Sequence, residues 1–234
     1  MAVHHRTFIP DFATLSNNNF YISPGKDSYA EMDFSGGSFT NKGVFTFGWN
    51  GATTLRDTAK IVVSGTADVV MQGNVTMGYS GNRTDYITLD GGRLSVKYLT
   101  VGNSGSQGIV TFNGGTLRAL ESNGDFLSSS LTCNVSAKGA IIDTQSYSRT
   151  VSATLAHDSS LGEAVDGGLV KRGAGTLTFT VMPTFTGALC VREGMVVCPG
   201  PVANLKGTKE TKVSDTRYEY TPCKGVCGFA VSVR

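Results

Sequence analysis

The sequence has no long apolar run, little charge and no basic cluster. No stretch approaches the ~18 consecutive apolar residues of a membrane-spanning helix, so we predict no transmembrane segment in this chain. Charged residues make up 16% of the chain, and 20 basic residues against 18 acidic ones leave a net charge of +2. The longest basic run is the pair Lys171 and Arg172. A nucleic-acid-binding surface would need a larger basic patch, so we predict no nucleic-acid partner.

Residues that catalyse reactions or bind metals are scarce and scattered. The three histidines, His4, His5 and His157, are too far apart in the sequence to indicate a catalytic triad or a zinc site. No aspartates form a stacked pair at equivalent repeat positions, as hydrolysis of a polysaccharide would require. We therefore expect solvated turn residues at Asp57, Asp68, Asp85, Asp90, Asp125, Asp143 and Asp158. The sequence predicts no catalytic residue, no cofactor and no metal ion.

Glycine is abundant, with 30 residues, and two short motifs recur in a fixed order. Glycine, Ser, Thr and Asn separate short apolar runs, which is typical of an all-β chain with many turns. The first motif is apolar-Thr-apolar-Gly, and it reads FTFGWNG at 45–51, VTMGYSG at 75–81 and LTVGNSG at 99–105. The second motif is apolar-x-apolar-x-Gly, and it reads MDFSGG at 32–37, IVVSG at 61–65, ITLDGG at 87–92 and VTFNGG at 110–115.

The spacing of these motifs predicts stacked coils. Gly36, Gly65, Gly91 and Gly114 are separated by 29, 26 and 23 residues. Strands this short cannot bury an apolar face alone, so neighbouring units must stack and share a core. We therefore predict an all-β parallel β-helix, or solenoid. A leucine-rich repeat is disfavoured because its leucine spacing and asparagine ladder are absent. A β-sandwich remains the alternative, although it gives no reason for two motifs to recur in order.

Alternation within the motifs predicts which side chains face the core. Because strand side chains alternate between two faces, Phe47, Met77 and Val101 are expected to form one inward column. The intervening threonines, such as Thr76, are expected to face outward.

One stretch resembles a known family. Residues 167–196, GGLVKRGAGTLTFT…FTGALCVREGMV, resemble the autotransporter-associated β-strand repeat, or passenger-associated transport repeat, of type V secreted proteins. That family's pattern is G-L-x-K-x-G-x-G-T-L-x-L, then Tyr/Phe-T-G, then V-x-x-G-x-L. The matching residues are Gly168, Leu169, Lys171, Gly173, Gly175, Thr176, Leu177, Phe185, Thr186, Gly187, Val191, Gly194 and Met195. Upstream, residues 99–117 are similar to the glycine-rich repeats of passenger domains in the same proteins.

The resemblance implies a right-handed parallel β-helix exported to the bacterial cell surface or secreted, associated with the outer membrane. It implies a non-catalytic passenger segment that serves display, forms a stalk and assists folding during export. A glycan-binding or adhesive module is the alternative, and a polysaccharide-degrading β-helix enzyme is a third possibility. The expected partners are other coils of the parent chain, and surface glycans or host surfaces. The first residues lack the apolar region of a signal peptide, so we expect this chain to be a piece of a longer protein.

The same reasoning divides the chain into segments. Residues 1–33 are expected to be an N-terminal cap or linker, and residues 34–200 the β-helix repeats. Within the repeats, residues 167–200 are the transport-associated repeat. Residues 201–234 alternate around a Pro-Cys-Lys-Gly turn and predict a capping hairpin.

Two further side-chain pairs are candidates for function. Trp49 and Tyr79 follow the glycine of equivalent motifs, so they could form a flat platform that stacks on a glycan or simply stack on each other. Among the five cysteines, Cys223 and Cys227 are spaced for a small disulfide, or for two buried thiols in a hairpin. Cys190 and Cys198 flank a turn, where core packing is the expected role.

Overall fold

The structure is a computed structural model that describes residues 4–8, 12–15, 19–22, 29–48, 57–122 and 124–223. In these ranges the chain consists of strands and turns, with one turn of 3-10 helix at Ser159–Leu161. In the first two ranges only the backbone is described.

The strands are short except for two that bend around a corner. In chain order they are β1 (His4–Phe8), β2 (Phe12–Leu15), β3 (Phe20–Ile22), β4 (Tyr29–Phe34), β5 (Ser38–Asn41), β6 (Phe45–Phe47), β7 (Thr58–Met71), β8 (Val75–Met77), β9 (Thr84–Val96), β10 (Leu99–Val101), β11 (Gln107–Phe112) and β12 (Thr116–Ala119). They continue with β13 (Asp125–Leu127), β14 (Leu131–Val135), β15 (Ala140–Asp143), β16 (Arg149–Val151), β17 (Leu155–His157), β18 (Leu169–Arg172), β19 (Thr176–Phe179), β20 (Leu189–Val191), β21 (Met195–Cys198), β22 (Thr208–Ser214) and β23 (Arg217–Pro222).

Successive strands wind around three faces of a solenoid. Face 1 is the parallel stack β3, β6, β8, β10, β13, β16, β19 and β21. Face 2 contains β1, β4, β11, β14 and β17, and face 3 contains β2, β5, β12, β15, β18 and β20. The long strands β7 and β9 each run along face 2 and then face 3, so they join the two faces into one sheet. The predicted β-helix is confirmed. The alternative β-sandwich is wrong, because the strands stack in parallel from coil to coil.

The repeated motifs occupy equivalent positions in successive coils. Leu99 pairs with Val75, and Val101 pairs with Met77, so copies of the first motif stack on face 1. Copies of the second motif stack on face 2 in the same way, and Ile87 pairs with Ile61. The period read from the sequence is therefore the length of one turn of the solenoid.

The interior of the solenoid is a continuous apolar core. Phe47 and Met77 are 0% exposed, and Val101 is partly buried at the end of the same column. Phe112, Phe126 and many aliphatic side chains from all three faces fill the rest of the interior. Burying one face of each strand is the main source of stability in such a stack.

Glycine occupies the corner between faces 2 and 3 because the backbones approach closely there. Gly65 and Gly91 pair in register, and their φ angles are 55° and 94°. A Cβ atom on Gly65 would lie 2.3 Å from the carbonyl oxygen of Ser35 in the preceding coil. Only glycine combines a positive φ with the absence of that atom.

The N-terminal segment is part of the solenoid. The boundary expected at residue 34 falls inside β4. The segment 1–33, expected to be a cap or linker, supplies β1, β2 and β3, which pair in parallel with β4, β5 and β6.

At the other end, the direction of the strands changes. β23 pairs antiparallel with β21, and β22 pairs antiparallel with β23, so a hairpin closes face 1. Tyr220 of this hairpin is 0% exposed, and its hydroxyl accepts a hydrogen bond from the amide of Val202 at 2.8 Å. The strand that follows β21 on face 1 is therefore antiparallel to the stack.

Candidate functional site

The residues of the transport-repeat motif form most of two consecutive coils near the C-terminal end. Leu169 and Lys171 on β18 and Leu177 on β19 point inward and are 0% exposed. Thr176 is half-buried and pairs with Met195 of β21 in the next coil. Phe185 packs against the core from the segment that bridges to face 2, and Val191 is buried on β20.

Lys171 is a buried cation at the corner where face 3 turns into face 1. Its Nζ donates hydrogen bonds to the main-chain carbonyls of Arg172, at 2.9 Å, and Gly173, at 2.6 Å. A third bond goes to the carbonyl of Glu193 in the next coil, at 3.1 Å. Burial lowers the pKa of Lys171 to about 8, although the Asp143 and Glu193 carboxylates act in the opposite direction. Because a buried ammonium needs partners for each of its protons, these carbonyls define its position.

Arg149 acts in the same way at the equivalent corner one coil earlier. Its side chain is 1% exposed and donates to the carbonyl of Glu121, at 2.9 Å, and to the carbonyl of Lys97. These acceptors belong to the two preceding coils, so one guanidinium joins three coils. The guanidinium also lies 4.8 Å from the ring centre of Phe126. Sequence reasoning missed Arg149, because nothing in its neighbourhood distinguishes an inward arginine from an outward one.

Asp166 is a buried carboxylate that lies two residues before the first residue of the motif. Its carboxylate accepts hydrogen bonds from the amides of Gly168, Thr186 and Gly187, at 2.8, 2.7 and 2.9 Å. It also accepts bonds from the Thr186 hydroxyl and from Nδ1 of His157, each at 2.9 Å. Burial would raise the pKa of Asp166, but these hydrogen bonds outweigh it and hold the pKa at about 2.

This arrangement explains why the motif contains Thr186, Gly187 and Gly168. Their amides converge on one carboxylate, and the two glycine backbones lie so close that a Cβ atom on Gly187 would lie 2.3 Å from the nitrogen of Gly168, which has a φ of 69°. Sequence reasoning also missed Asp166. The available signal was an acid two residues before a glycine that begins a strand, a pattern typical of a side chain that bonds its own following backbone.

The glycines of the motif allow neighbouring coils to touch. A Cβ atom on Gly175 would lie 1.9 Å from the carbonyl oxygen of Tyr147 in the preceding coil. Gly194 has a φ of 66°, and its Cβ would lie 2.2 Å from the carbonyl oxygen of Gly175. Gly173 likewise has a positive φ of 81° and presents its carbonyl to Lys171.

Several aspartates expected to be solvated are buried in an ion cluster instead. Arg83 donates through Nη1 to Asp57 and through Nε to Asp85, each at 2.9 Å, and its side chain is 1% exposed. Asp85 also accepts the amides of Ala59, at 3.1 Å, and Gly78, at 2.7 Å. Burial raises the pKa of both aspartates, and the Arg83 charge opposes this. The solvated-turn expectation is wrong for Asp57 and Asp85, because each binds backbone or guanidinium groups inside the stack. It is also wrong for Asp143, which is buried on β15 and accepts a hydrogen bond from Nε of Arg118 at 2.9 Å.

His157 contacts an aspartate, as a catalytic histidine does, but both of its ring nitrogens have hydrogen-bond partners. Its Nδ1 contacts Asp166, and its Nε2 lies 3.1 Å from the carbonyl oxygen of Gly162. The nitrogen that would activate a nucleophile is therefore occupied by a main-chain carbonyl.

The glycan-platform and disulfide predictions fall partly outside the described residues. Tyr79 is 41% exposed, but Trp49 lies outside those residues. Cys223 is disulfide-bonded, and its expected partner Cys227 also lies outside them.

The remaining described cysteines, Cys133, Cys190 and Cys198, are free and buried. Burial raises the pKa of Cys133 and Cys198 to about 12, which makes both thiols poor nucleophiles.

One groove crosses the outer side of face 1. It runs beside β10 and β13 and is lined by Tyr98, Thr100, Glu121, Gly124, Asp125 and Ser128. Glu121 at its rim forms an ion pair with Lys97 at 3.4 Å. The groove combines one aromatic ring, two carboxylates and two hydroxyls.

Within the described part of the chain, no group of three or more His, Cys, Asp or Glu side chains is arranged to hold a metal ion. No helix in the described ranges is long and apolar enough to cross a membrane. Comparison with known proteins identified no relative: no family model, curated protein or solved structure matches this chain significantly.

Proposed function

We propose that this chain is a non-catalytic β-solenoid segment of a secreted or cell-surface protein. It serves as a rigid spacer for display, and its C-terminal coils assist folding during export. The observation that carries this proposal is the set of interior cations, Arg149 and Lys171, which bond the corner carbonyls of successive coils.

These bonds suit a protein that folds one coil at a time. In a stacked array, each coil gains most of its stability from its neighbours. Lys171 is fully satisfied only when the coil containing Glu193 is in place, and Arg149 only when two earlier coils are in place. A completed C-terminal region therefore presents an ordered edge on which the preceding coils can stack.

The terminal hairpin adds to this function. It closes the C-terminal end of face 1, and Thr208 is the one buried residue of β22, whereas the rest of that strand is exposed. The exposed part includes Lys209, Glu210 and Lys212, and charges on an edge strand oppose pairing with another chain.

Export can be tested by fusing the chain to the translocation unit of a type V secreted protein. Deletion of residues 167–200 is expected to lower the surface yield and the protease resistance of the upstream coils. Deletion of residues 38–67 is the control. It removes one turn of the solenoid, spares the carbonyls that Arg149 and Lys171 bind, and joins positions that are equivalent in register, since Ser38 pairs with Asp68.

The two deletions separate the alternatives. A large loss with the first and a small loss with the second supports the proposal. Equal losses would show that residues 167–200 are one more spacer, and unchanged yield in both would reject a role in export.

The groove on face 1 favours glycan binding as a second candidate function. A half-buried tyrosine beside carboxylates and hydroxyls provides both stacking and hydrogen bonding for a sugar. Titration with oligosaccharides, followed by NMR, is expected to shift signals of Tyr98 and Asp125. Tyr98→Ala should abolish these shifts, and Tyr79→Ala, outside the groove, should leave them unchanged. Absence of shifts with neutral, acidic and amino sugars would reject glycan binding here.

A further inference from the structure

His157 binds two hydrogen-bond acceptors at the same time. Its Nδ1 is 2.9 Å from Oδ2 of Asp166, and its Nε2 is 3.1 Å from the main-chain oxygen of Gly162. A carbonyl oxygen cannot donate a proton, and the Asp166 carboxylate is ionised because its pKa is about 2. Both ring nitrogens must therefore carry a proton. That is the imidazolium form, since neutral imidazole has only one N–H group.

The Gly162 contact links the ring to a protruding segment that we call the 158–166 loop. This loop replaces the tight corner between faces 2 and 3 that the preceding coils form, and it contains the 3-10 helix. Asp158 caps the helix by accepting bonds from the amide and hydroxyl of Ser160, at 3.0 and 2.7 Å. These bonds, and the turn bonds of Gly162 and Ala164, stay within the loop, whereas at its first residue the amide of Asp158 donates to the carbonyl of Val135, at 3.0 Å, and the Asp158 carboxylate accepts a hydrogen bond from Ser136. Near the tip, Glu163 is exposed and Val165 is 67% exposed.

We propose that His157 is a pH-operated clasp that holds the 158–166 loop against the solenoid when it is protonated and releases the loop when it loses its Nε2 proton. Loss of that proton would leave two acceptors, Nε2 and the Gly162 carbonyl, facing each other. Nδ1 keeps its proton because the Asp166 carboxylate is fixed by three main-chain amides. The loop is therefore released at Gly162, and the Asp166 site remains intact.

The surroundings of the ring favour the closed state at acidic pH. Among the described residues, the charged groups facing His157 are Asp166 and, beside it in sequence, Asp158. The coil below contributes Val135 in register, and the coil above contributes the Thr186 hydroxyl, 3.3 Å from Nδ1. The hydrogen bond to Asp166 raises the pKa of His157 above its usual range, as does the bond to Gly162. The clasp is closed below the usual histidine pKa of about 6.5 and opens as the pH rises through the raised value.

Cleavage of the loop by a glutamate-specific protease tests the proposal, since Glu163 lies at the tip. The rate of cleavage after Glu163 in the full chain is divided by the rate of cleavage after the same residue in a free peptide with the sequence of residues 158–166. This ratio removes the protease's own pH dependence. We expect this ratio to rise at least about tenfold between about pH 5 and about pH 9, because each pKa unit changes the protonated fraction about tenfold. In parallel, NMR titration should give His157 a pKa above the ordinary histidine value.

Two variants make the outcome specific. His157→Gln should give a ratio that does not change with pH, because a carboxamide does not titrate in this range, while its circular dichroism spectrum stays native. Asn204→Ala removes a neutral hydrogen bond to the carbonyl of Thr186 without touching the ring, and should keep the pH dependence. A ratio that is flat with pH in the unmodified chain, or a His157 pKa at or below about 6.5, would overturn the proposal. Neither result would bear on the export function, which rests on Arg149 and Lys171.

Discussion

Lys171 donates a hydrogen bond from its ammonium group to the main-chain carbonyl of Glu193, which lies one coil further along the solenoid, 3.1 Å away. The two residues are joined through the interior of the protein and not across its surface. The bond adds a side-chain link between two turns of backbone that are also joined by the amide of Arg192 donating to the carbonyl of Lys171, at 2.9 Å, and by the amide of Met195 donating to the carbonyl of Gly175, at 3.3 Å. It also shows that a charged side chain can be an inward residue of this fold when carbonyls surround it.

Replacing Lys171 by methionine tests this role. The Lys171→Met side chain has a similar length but removes the ammonium donor from the carbonyls of Gly173 and Glu193, whereas the carbonyl of Arg172 still accepts the amide of Thr144 at 3.0 Å. We expect the free energy of unfolding to fall by at least about 2 kcal/mol. Denaturant titration followed by circular dichroism measures this. Arg172→Met is the matched control, because the next residue on the strand is exposed, and it should change stability by less than about 0.5 kcal/mol. Equal effects would contradict the proposed role of the ammonium.

The register of face 1 predicts that alanine substitutions at two neighbouring residues lower the free energy of unfolding by different amounts. Met77 is 0% exposed, whereas Thr76 is half-buried on the outer side. Met77→Ala should lower the free energy of unfolding by about 2 to 5 kcal/mol, and Thr76→Ala by less than about 1 kcal/mol. Thermal and denaturant unfolding would measure both. Small and similar losses at the two positions would be incompatible with this register.

Asp166 predicts a loss of stability in acid. Its pKa falls from 3.8 to about 2 on folding, so the folded state favours the ionised form. The resulting stabilisation is present above about pH 4 and is lost as the pH falls toward about 2; a shift of slightly less than two pKa units corresponds to about 2 to 3 kcal/mol. Asp166→Asn should therefore be less stable than the unmodified chain at neutral pH, with the difference shrinking in acid. Denaturant titrations at several pH values give the difference, and a constant gap would exclude this linkage.

Gly175 should not tolerate even one added carbon. In Gly175→Ala the new Cβ would meet the carbonyl oxygen of Tyr147 at 1.9 Å, so the two coils must separate. We expect a loss of about 3 kcal/mol. Gly207→Ala is the comparison, since Gly207 has a φ of 57° but no atom within 4 Å of the added Cβ. Backbone strain alone should cost it about 1 kcal/mol. If the two variants melt at the same temperature, close approach of the coils is not what requires Gly175.

Much of the fold could be predicted from the sequence, because its strongest signals are local and repeated. The two motifs recur with their glycines at nearly constant spacing, and in the structure Val75 stacks on Leu99 and Gly65 on Gly91. Alternation within each motif predicted the burial of Phe47 and Met77. The boundary expected at residue 34 does not separate two parts of the structure. The N-terminal segment lacks the motifs but still supplies strands that pair with the solenoid.

The polar interior could not be predicted in the same way. Asp57, Asp85 and Arg149 have nothing in their local sequence that distinguishes them from solvated turn residues. Their burial depends on groups one or two coils away: Asp57 binds Arg83, Asp85 accepts the amide of Ala59, and Arg149 donates to the carbonyl of Lys97.

The sequence by itself determined the period, the direction of the apolar side chains and the positions where only glycine fits, since these depend on residues close together in the chain. The tertiary structure decided which charged residues are inside, which carbonyls Lys171 and Arg149 bind, and that His157 joins Asp166 to Gly162. The physical reason is that a buried charge is tolerated only where several partners converge on it. In a solenoid those partners come from different coils, and only stacking brings them together.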